Sequence, residues 1–222
     1  AVRVVALSSP TGHFCQGMDL SQASRTKGAA NARESISEAV TQYSRILELL
    51  ERGSFVSLAA VHGHTMAGGV GLAAACSVVL AADTARFSLP ETLYGLVPAN
   101  VFPALRKRVS RGACEYLAVS RACWSAQTAQ IRGLVDEVVA EDALHTRSRR
   151  IIRDILRNKP DAMSATRAFL GRIDEHGRAK ARGEAVDLLT ERIMSEDSIE
   201  AIRLLAQGQL PPWAMKLPKE FP

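Results

Sequence analysis

The sequence predicts an α/β fold, in which an alternating body of strands and helices is followed by a helical extension. Short, nearly continuous apolar runs at 2–8, 55–61 and 77–82 are typical of strands in a parallel sheet. An amphipathic stretch and an apolar segment that begins at Gly68 separate these runs, so strands and helices alternate. From Ala143 onward the pattern is helical only.

The amino-terminal part of the chain predicts one strand, a long loop and one helix. Val2–Ser8 is apolar enough to be a strand buried on both faces, so the chain is expected to begin inside a fold. A glycine-containing loop, His13–Leu20, follows, and the small polar residues of Ser21–Asn31 predict a mobile loop. A helix then continues to about residue 52. Its apolar face contains Ile36, Val40, Tyr43, Leu47 and Leu50.

The middle of the chain predicts a crossover unit around a glycine-rich turn. The strand at Phe55–Val61 leads into this turn, and the helix that begins at Gly68 is apolar on all sides, which predicts a buried position. A strand at Ser77–Ala82 then returns, giving a right-handed connection. Farther along, Ser125 is suited to cap a helix and Gly133 to end it.

We place the body of the fold at residues 1–140, closed by a last strand at Leu134–Val139. Residues 141–222 form the helical extension, in which Pro160 opens one helix and Gly208 ends the last. The extension has apolar faces with little sheet left to cover, which indicates subunit packing. Those faces in its later helices contain Val186, Leu189, Ile193, Ile199, Ile202 and Leu205.

Composition favours a globular protein. The 222 residues are 47% hydrophobic and 23% charged, and the apolar runs are too short to span a bilayer. Ala1–Ser8 has neither a cationic leader nor a cleavage site, so we expect no signal peptide, no membrane partner and a cytoplasmic location. The cysteines form no CxxC pair, which predicts free thiols. They are Cys15, Cys76, Cys114 and Cys123.

The formal net charge of +5 suits an acidic partner without identifying one. Much of the excess lies on one predicted amphipathic helix, where a solvated face is the favoured interpretation. Nucleic-acid binding is disfavoured, because aromatic residues make up only 5% of the chain and none interleaves with these basic residues. The basic residues are Arg147, Arg149, Arg150, Arg153, Arg157 and Lys159.

Gly68, Gly69 and Gly71 lie where a strand gives way to a helix. The free N–H groups of such a helix start favour negative charge, but a tight packing turn explains the spacing equally well. The stretch matches neither a dinucleotide fingerprint nor a phosphate loop. A second glycine loop, FCQGMD, favours the interpretation of this stretch as an anion site. Its Met18 N–H and the Gly68 N–H are candidates to hold one oxygen, as a thioester carbonyl that becomes an enolate requires.

Glu91 in SLPET is the candidate for proton transfer. Apolar neighbours at Leu89, Leu93 and Leu96 predict a raised pKa for this carboxyl group, which suits acid–base chemistry near neutral pH. The alternative is a glutamate that only stabilises the start of a helix. Position alone favours the second interpretation, and the acid–base role depends on the other features of the site.

Two further polar residues are candidates for substrate contact. His64 precedes the glycine turn, where it either touches substrate or is a hydrogen-bonded structural histidine. His62 and His64 have the spacing of a metal pair on a strand, but no third ligand lies near, so we predict no metal. Asn100 is either a turn residue or a polar group of the site.

These stretches together resemble the crotonase (enoyl-CoA hydratase/isomerase) superfamily over nearly the whole chain. The matching segments are VRVVALSS, FCQGMDL, VHGHTMAGGVGLAAACSVVLAADTARFSLPETLYGLVP and SAQTAQIRGLVDEVV. The resemblance implies a crotonase-type ββα spiral with a C-terminal helical trimerisation region, and an oxyanion hole at Met18 and Gly68. Gly69 is an additional candidate for substrate binding.

The chain departs from the two-glutamate pattern of hydratases in this superfamily. The second glutamate matches Glu91, whereas the first falls on Gly71, and an acidic residue that often follows the cysteine is replaced by Ser77. One acid is compatible with isomerisation, or with a dehydration in which a single group moves both proton and hydroxyl.

A closer resemblance is to the dehydratases of polyketide β-branching cassettes, carried by AGGVGL, FSLPETLYGL and the closing IEAIRLLAQGQLPPW. It implies dehydration of 3-hydroxy-3-methylglutaryl-ACP to 3-methylglutaconyl-ACP by an enzyme that binds no cofactor of its own. The substrate would arrive on phosphopantetheine of an acyl carrier protein, or on CoA. The protein would be a homotrimer, with pairing into hexamers left open. The alternatives are an acyl-CoA isomerase or enoyl-CoA hydratase of lipid metabolism, or a crotonase-fold RNA-binding protein.

Overall fold

The computed structural model of the chain describes residues 2–19, 32–176 and 178–214. Within these ranges the strands form two sheets. The first is parallel, with the order β1-β2-β4-β7, and the second has the order β3-β5-β6, with β6 antiparallel to β5. The strands are β1 (Val4–Leu7), β2 (Val56–Val61), β3 (His64–Met66), β4 (Val78–Ala82), β5 (Arg86–Ser88), β6 (Cys123–Ser125) and β7 (Glu137–Val139).

The helices alternate with the strands as far as β7 and then follow one another directly. They are α1 (Ala32–Arg52), α2 (Gly68–Ala75), α3 (Val101–Arg108), α4 (Arg111–Val119), α5 (Ala126–Ile131), α6 (Leu144–Ile155), α7 (Pro160–His176), α8 (Arg178–Met194) and α9 (Glu196–Ala206). Short 3-10 turns at Glu91–Tyr94 and Glu141–Ala143 complete the described elements. The predicted α/β body with a helical extension is confirmed.

The core is built around β2, β4 and α2. Leu58, Val61, Val79 and Leu80 are fully buried on the two central strands, which pair in parallel. Helix α2 lies between them in sequence, and its Val70 is also fully buried. A helix that is apolar on all sides needs such a position, and the prediction of a buried crossover helix is confirmed.

The first strand differs from its prediction. Val4, Val5 and Leu7 are only partly buried, and Ala6 is exposed, so the expectation of burial on both faces was wrong. The physical reason is position, since β1 is the edge of the described sheet and pairs there with β2 alone. An apolar run shows that a strand can be buried. Whether it is buried depends on the segments that pack against it, which lie elsewhere in the chain.

Helix α1 buries its apolar face only towards its carboxyl end. Leu47 and Leu50 are 5% and 4% exposed, whereas Ile36 and Val40 are about 40% exposed. Tyr43 lies between these pairs and is partly buried against the core. The predicted helix is confirmed, and the part that packs is its second half.

Side-chain caps fix the later elements. Ser125 accepts from the Thr128 N–H at 3.1 Å and Gly133 has φ +88°, so the predicted start and stop of α5 are confirmed. The predicted last strand shrinks to Glu137–Val139, because Leu134 and Val135 are buried in the connection that precedes it. Their apolarity reflects burial rather than strand pairing.

Arg108 holds the carboxyl end of α2. Its guanidinium forms an ion pair with Asp136 at 3.0 Å, and the other carboxylate oxygen of Asp136 accepts from the Val79 N–H at 2.7 Å. Cations near a helix carboxyl end satisfy carbonyls that the helix leaves free. The carbonyls that accept from Arg108 belong to Ala74, Cys76 and Ser77.

The chain divides into two compact units. The first is Val2–Ser148, and the second begins at Arg149, so the boundary falls within α6, a few residues beyond the predicted end of the body at 140. In the second unit Lys159 forms ion pairs with Asp197 at 2.8 Å and Asp161 at 3.5 Å. The role of these helices in trimerisation stays a prediction.

No helix within the described ranges is long and apolar enough to cross a membrane. The cysteines are all free, as predicted, and Cys76 and Cys114 are buried. The predicted mobile loop at Ser21–Asn31 lies outside the described residues, as do all residues after Ala214.

Candidate functional site

Two glycine-containing segments meet at the amino end of α2. The segment at Cys15 runs beside β3, and the Met66 N–H donates to the Cys15 carbonyl at 2.9 Å. Gly17 has φ +91°, and a Cβ there would lie 2.9 Å from the Ala67 Cβ and 3.6 Å from the Gly68 N. Glycine is required here by both conformation and space. The loop that carries Met18 therefore lies against the start of α2, as the sequence predicted.

The N–H groups of Met18 and Gly68 are the candidate donors. Within the described part of the chain neither has a recorded hydrogen-bond acceptor. Gly68 is the first residue of α2, so its N–H is one of those that the helix cannot satisfy internally. A helix start of this kind attracts developing negative charge.

The residue before Gly68 is strained. Ala67 has φ +51° and ψ −122°, a conformation that residues with a Cβ seldom adopt and that costs about 1–3 kcal/mol. Gly69 is equally constrained, since a Cβ there would lie 2.2 Å from the Cys15 carbonyl oxygen. An alanine carries no sequence signal for such a conformation, and the sequence analysis missed it.

Glu91 opens the 3-10 turn that follows β5. Its Oε2 is buried and has no hydrogen-bond partner among the described residues. Burial raises the pKa of the Glu91 carboxyl group, and a bond from its own backbone N–H opposes that rise in part. The pKa therefore has the predicted direction. Of the three leucines expected near this carboxyl group, Leu89 is buried, whereas Leu93 and Leu96 are 56% and 45% exposed.

The turn that carries Glu91 is anchored at both ends. The Thr92 hydroxyl donates to the Ala118 carbonyl on α4 at 3.0 Å. Gly95 has φ +70° and closes the turn, with its N–H donating to the Thr92 carbonyl at 3.3 Å. The Glu91 backbone is therefore held in place by groups other than a ligand.

Tyr43 is a site residue that the sequence analysis treated only as part of an apolar helix face. Its hydroxyl donates to the Gly68 carbonyl at 2.6 Å. Burial raises the pKa of this phenol, and the charges of Cys15 and Glu91 raise it further, so these groups lie within electrostatic range of one another. A hydroxyl on an otherwise apolar face, together with the glycine at position 71, was the available signal.

His64 lies apart from this group in its described contacts. It begins β3, whereas the glycine turn follows the other end of that strand. Its N–H donates to Nδ1 of His13 at 3.2 Å, and the two rings make an edge-to-face contact at 5.4 Å. The His62 ring bonds the Thr11 carbonyl oxygen at 2.6 Å. A role for His64 in substrate binding stays a prediction.

Asn100 has a partner in the protein. Its side-chain amide donates to the Val40 carbonyl of α1 at 3.1 Å, which ties the segment after the 3-10 turn to that helix. Val40 lies one helical turn before Tyr43, so the two bonds tie the same stretch of α1 to the segment that carries Asn100 and to the start of α2. A contact between Asn100 and substrate also stays a prediction.

The arrangement suits one kind of chemistry. Backbone N–H groups without an acceptor are what the stabilisation of an oxyanion requires, and a poorly solvated carboxyl group is what proton transfer near neutral pH requires. The basic residues predicted to lie on one helix are divided, because α6 ends at Ile155, before Arg157 and Lys159. They suit nucleic acid less well, since several of them are paired with carboxylates. Those pairs are Arg147–Glu137, Arg157–Asp154 and Lys159 with Asp161 and Asp197.

Comparison with known proteins gives a family and named relatives. The model of the enoyl-CoA hydratase/isomerase family matches residues 1–214. The bacillaene synthase dehydratase PksH of Bacillus subtilis is 29% identical over 213 residues, which are 95% of this chain and 79% of that protein. The mevalonyl-coenzyme A hydratase sidH of Aspergillus fumigatus is also 29% identical over 213 residues, which are 94% of this chain and 77% of that protein.

Solved structures share the fold. AtuE of Pseudomonas aeruginosa is similar with a TM-score of 0.85 and 29% identity, covering 96% of this chain and 82% of that one. An enoyl-CoA hydratase/isomerase (crotonase) of Legionella pneumophila has a TM-score of 0.86 at 23% identity, with the same coverage. The latter likeness concerns the fold alone.

Proposed function

Because the chain belongs to the enoyl-CoA hydratase/isomerase family, we propose that it dehydrates 3-hydroxy-3-methylglutaryl-ACP to 3-methylglutaconyl-ACP in polyketide β-branching. The chain is a hydro-lyase of acyl thioesters, in keeping with relatives named as hydratases and dehydratases. The observation that carries the finer proposal is the buried Oε2 of Glu91, which has no hydrogen-bond partner among the described residues. The Met18 and Gly68 N–H groups, which have no acceptor in the described part of the chain, are the proposed oxyanion donors. The relative named as a bacillaene synthase dehydratase supports the polyketide assignment.

In the proposed reaction Glu91 acts twice. Its carboxylate takes a proton from C2 of the thioester, and the electrons of the C2–H bond form an enolate. The enolate then collapses, so that a C2=C3 double bond forms and the C3–O bond breaks. Glu91 returns its proton to the departing hydroxyl, which leaves as water, and the carboxylate is regenerated. The raised pKa of Glu91 suits both the uptake and the release of that proton.

The N–H groups of Met18 and Gly68 hold the thioester oxygen while it carries negative charge, with Gly69 beside it. One donor of this type is worth roughly a hundredfold to a thousandfold in rate. His64 is our candidate for the free carboxylate of the substrate. Asn100 is a lesser one, since its amide already donates to Val40.

The proposed partners are an acyl carrier protein and further copies of this chain. The net charge of +5 suits an acidic carrier. We propose a homotrimer, supported by the exposed apolar residues of α8 and α9 in the isolated chain. These are Val186, Leu189, Ile193, Ile199, Ile202 and Leu205, each more than half exposed.

The alternative is an acyl-CoA isomerase or enoyl-CoA hydratase of lipid metabolism. One acid is sufficient for an isomerase, which moves a proton between two carbons, so the same observation of a single carboxyl group favours it. The relative named as a mevalonyl-coenzyme A hydratase supports a CoA substrate. The carrier of the acyl group is what separates the two proposals.

Mass spectrometry of carrier-bound 3-hydroxy-3-methylglutaryl substrate tests the proposal directly. We expect loss of one water from the acyl group with the parent protein, and a rate lower by on the order of a hundredfold or more with Glu91→Gln. Crotonyl-CoA and a 3-enoyl-CoA serve as competing substrates. Turnover of either CoA ester with no loss of water from the branched carrier-bound acid would refute the dehydratase proposal in favour of the alternative.

A further inference from the structure

Tyr43 covers the first residue of α2. Its hydroxyl donates to the Gly68 carbonyl at 2.6 Å, although the two residues are 25 positions apart in the chain. Its ring also touches Gly68, because a Cβ on that glycine would lie 3.4 Å from Cε2, Cζ and Oη of Tyr43. The residue that offers the candidate oxyanion donor is therefore held from outside its own helix.

The same hydroxyl occupies the space of a side chain at position 71. A Cβ on Gly71 would lie 2.2 Å from Oη of Tyr43 and 3.3 Å from Cγ2 of Val101. The first distance is far below any real contact, so any other residue at 71 would displace the hydroxyl. Tyr43 and Gly71 are thus a matched pair within the site.

The helix that carries Tyr43 is itself fixed. The Asn100 amide donates to the Val40 carbonyl at 3.1 Å, one helical turn before Tyr43. The phenol is protonated at neutral pH, as tyrosines ordinarily are, and burial raises its pKa further above that range. The hydroxyl therefore has a proton to donate to the Gly68 carbonyl.

We propose that Tyr43 is the positioning residue of the Gly68 turn, and that Gly71 gives its hydroxyl the room to act. The bond to the carbonyl fixes the conformation of Gly68, whose N–H holds the thioester oxygen in the proposed function, on which this inference rests. Misplacing such a donor by a fraction of an ångström lowers the rate of the chemical step rather than the affinity for substrate.

Tyr43→Phe tests the positioning role, with Tyr116→Phe as the matched control. Both changes remove only a hydroxyl, and Tyr116 is 53% exposed on α4. For Tyr43→Phe we expect kcat to fall roughly tenfold or more while KM stays within about twofold, and for the control we expect no change. A rise in KM of about tenfold with an unchanged kcat would indicate a binding role and overturn the proposal.

Gly71→Ala tests the matched pair without any substrate. In the parent chain the clash with Oη is expected to lower Tm by roughly 4–8 °C, and in the Tyr43→Phe chain by less than half as much. Equal losses in both backgrounds would show that the hydroxyl does not fill position 71.

A bound but unreactive thioester separates this inference from the proposed function. The probe is acetyl-phosphopantetheine with a ¹³C-labelled carbonyl, whose infrared frequency falls when N–H groups bind the oxygen. We expect a lower frequency with the parent than with Tyr43→Phe, even if the branched acid proves not to be the substrate. Equal frequencies, or no shift with the parent, would overturn the positioning role.

Discussion

The carboxyl group of Glu91 combines a buried, unpartnered oxygen with a backbone that other residues hold in place. A solvent-exposed glutamate would keep both oxygens hydrated and remain a weak base at neutral pH. Here the loss of hydration raises the pKa, so the group exchanges its proton more readily. The same burial works against the folded state once the group is ionised.

Glu91→Gln is expected to stabilise the protein at neutral pH. Because the folded pKa of Glu91 lies above its unfolded value, its contribution to stability is fully present below the unfolded pKa and is lost as pH rises through the folded pKa. Thermal unfolding of parent and variant should therefore agree near pH 4, and the variant should have the higher Tm at pH 7.5. A gap that is the same at both values of pH would contradict the burial of this charge.

The pH dependence of dehydration follows from the same pKa. The proposed reaction begins with the Glu91 carboxylate, so kcat/KM should rise with pH through the raised pKa and then level off. Initial rates across pH 4 to 9 measure this directly. A profile that falls only in the ordinary range of a glutamate would contradict the raised pKa of the base, and a profile with no acid limb would argue against Glu91 as the base.

At the scale of residues, the sequence predicted the polar groups that carry a local signature. Gly68 and Glu91 lie in distinctive glycine and proline contexts, and Gly17 places the loop that carries Met18 against the start of α2. The roles of Tyr43 and Ala67 were not predicted. The role of Tyr43 depends on a contact 25 positions away, and that of Ala67 depends on its backbone conformation. Local patterns contain neither kind of information.

At the scale of elements, α2 is held at both ends by side chains from other helices. Tyr43 on α1 bonds its first residue, and Arg108 on α3 bonds the carbonyls that follow its last turn. The helix has only eight residues and little intrinsic stability of its own. These two contacts hold the helix, and with it the Gly68 N–H, in position.

Arg108→Met is expected to lower the free energy of unfolding by about 2–3 kcal/mol. The change removes the hydrogen-bond donor of the Cys76 and Ser77 carbonyls and of one oxygen of Asp136, all of which accept from the guanidinium. Urea denaturation measures the loss, with Arg111→Met as the control, since Arg111 is exposed. A loss no larger than that of the control would show that the carbonyls are satisfied in another way.

The sequence predicted elements well where their burial is symmetric. The strand Val56–Val61 and the helix Gly68–Ala75 lie in the core, and their apolar runs match their bounds closely. It failed at Val4–Leu7 and at Leu134, where the edge of a sheet or a buried connection sets the exposure. An apolar run does not state how many neighbours a strand will have.

At the scale of the whole molecule, the chain has the fold class that its sequence predicted. A crotonase-type fold is confirmed by the likeness to solved structures over 96% of the chain. The helices of the second unit leave large apolar side chains exposed, which a chain that acts alone would not require. Their pattern on α8 and α9 motivates the proposed trimer.

Leu189→Glu is expected to weaken self-association. Leu189 is 62% exposed in the single chain, and a carboxylate placed in an apolar subunit interface would lose its hydration. Light scattering after size-exclusion chromatography should give three times the 23.9 kDa chain mass for the parent and less for the variant. Glu191→Gln on the same helix is the control. A parent mass of one chain would refute the trimer.

The strained backbone of Ala67 has a consequence for improving this protein in the laboratory. Glycine would adopt the same conformation without a steric penalty, so it would stabilise the folded chain. It would also let the peptide before Gly68 rotate more freely. A screen for heat resistance alone would therefore select glycine at 67 and discard the rigidity that positions the proposed oxyanion donor at Gly68. Useful thermostable descendants would have to be selected for heat resistance and activity together.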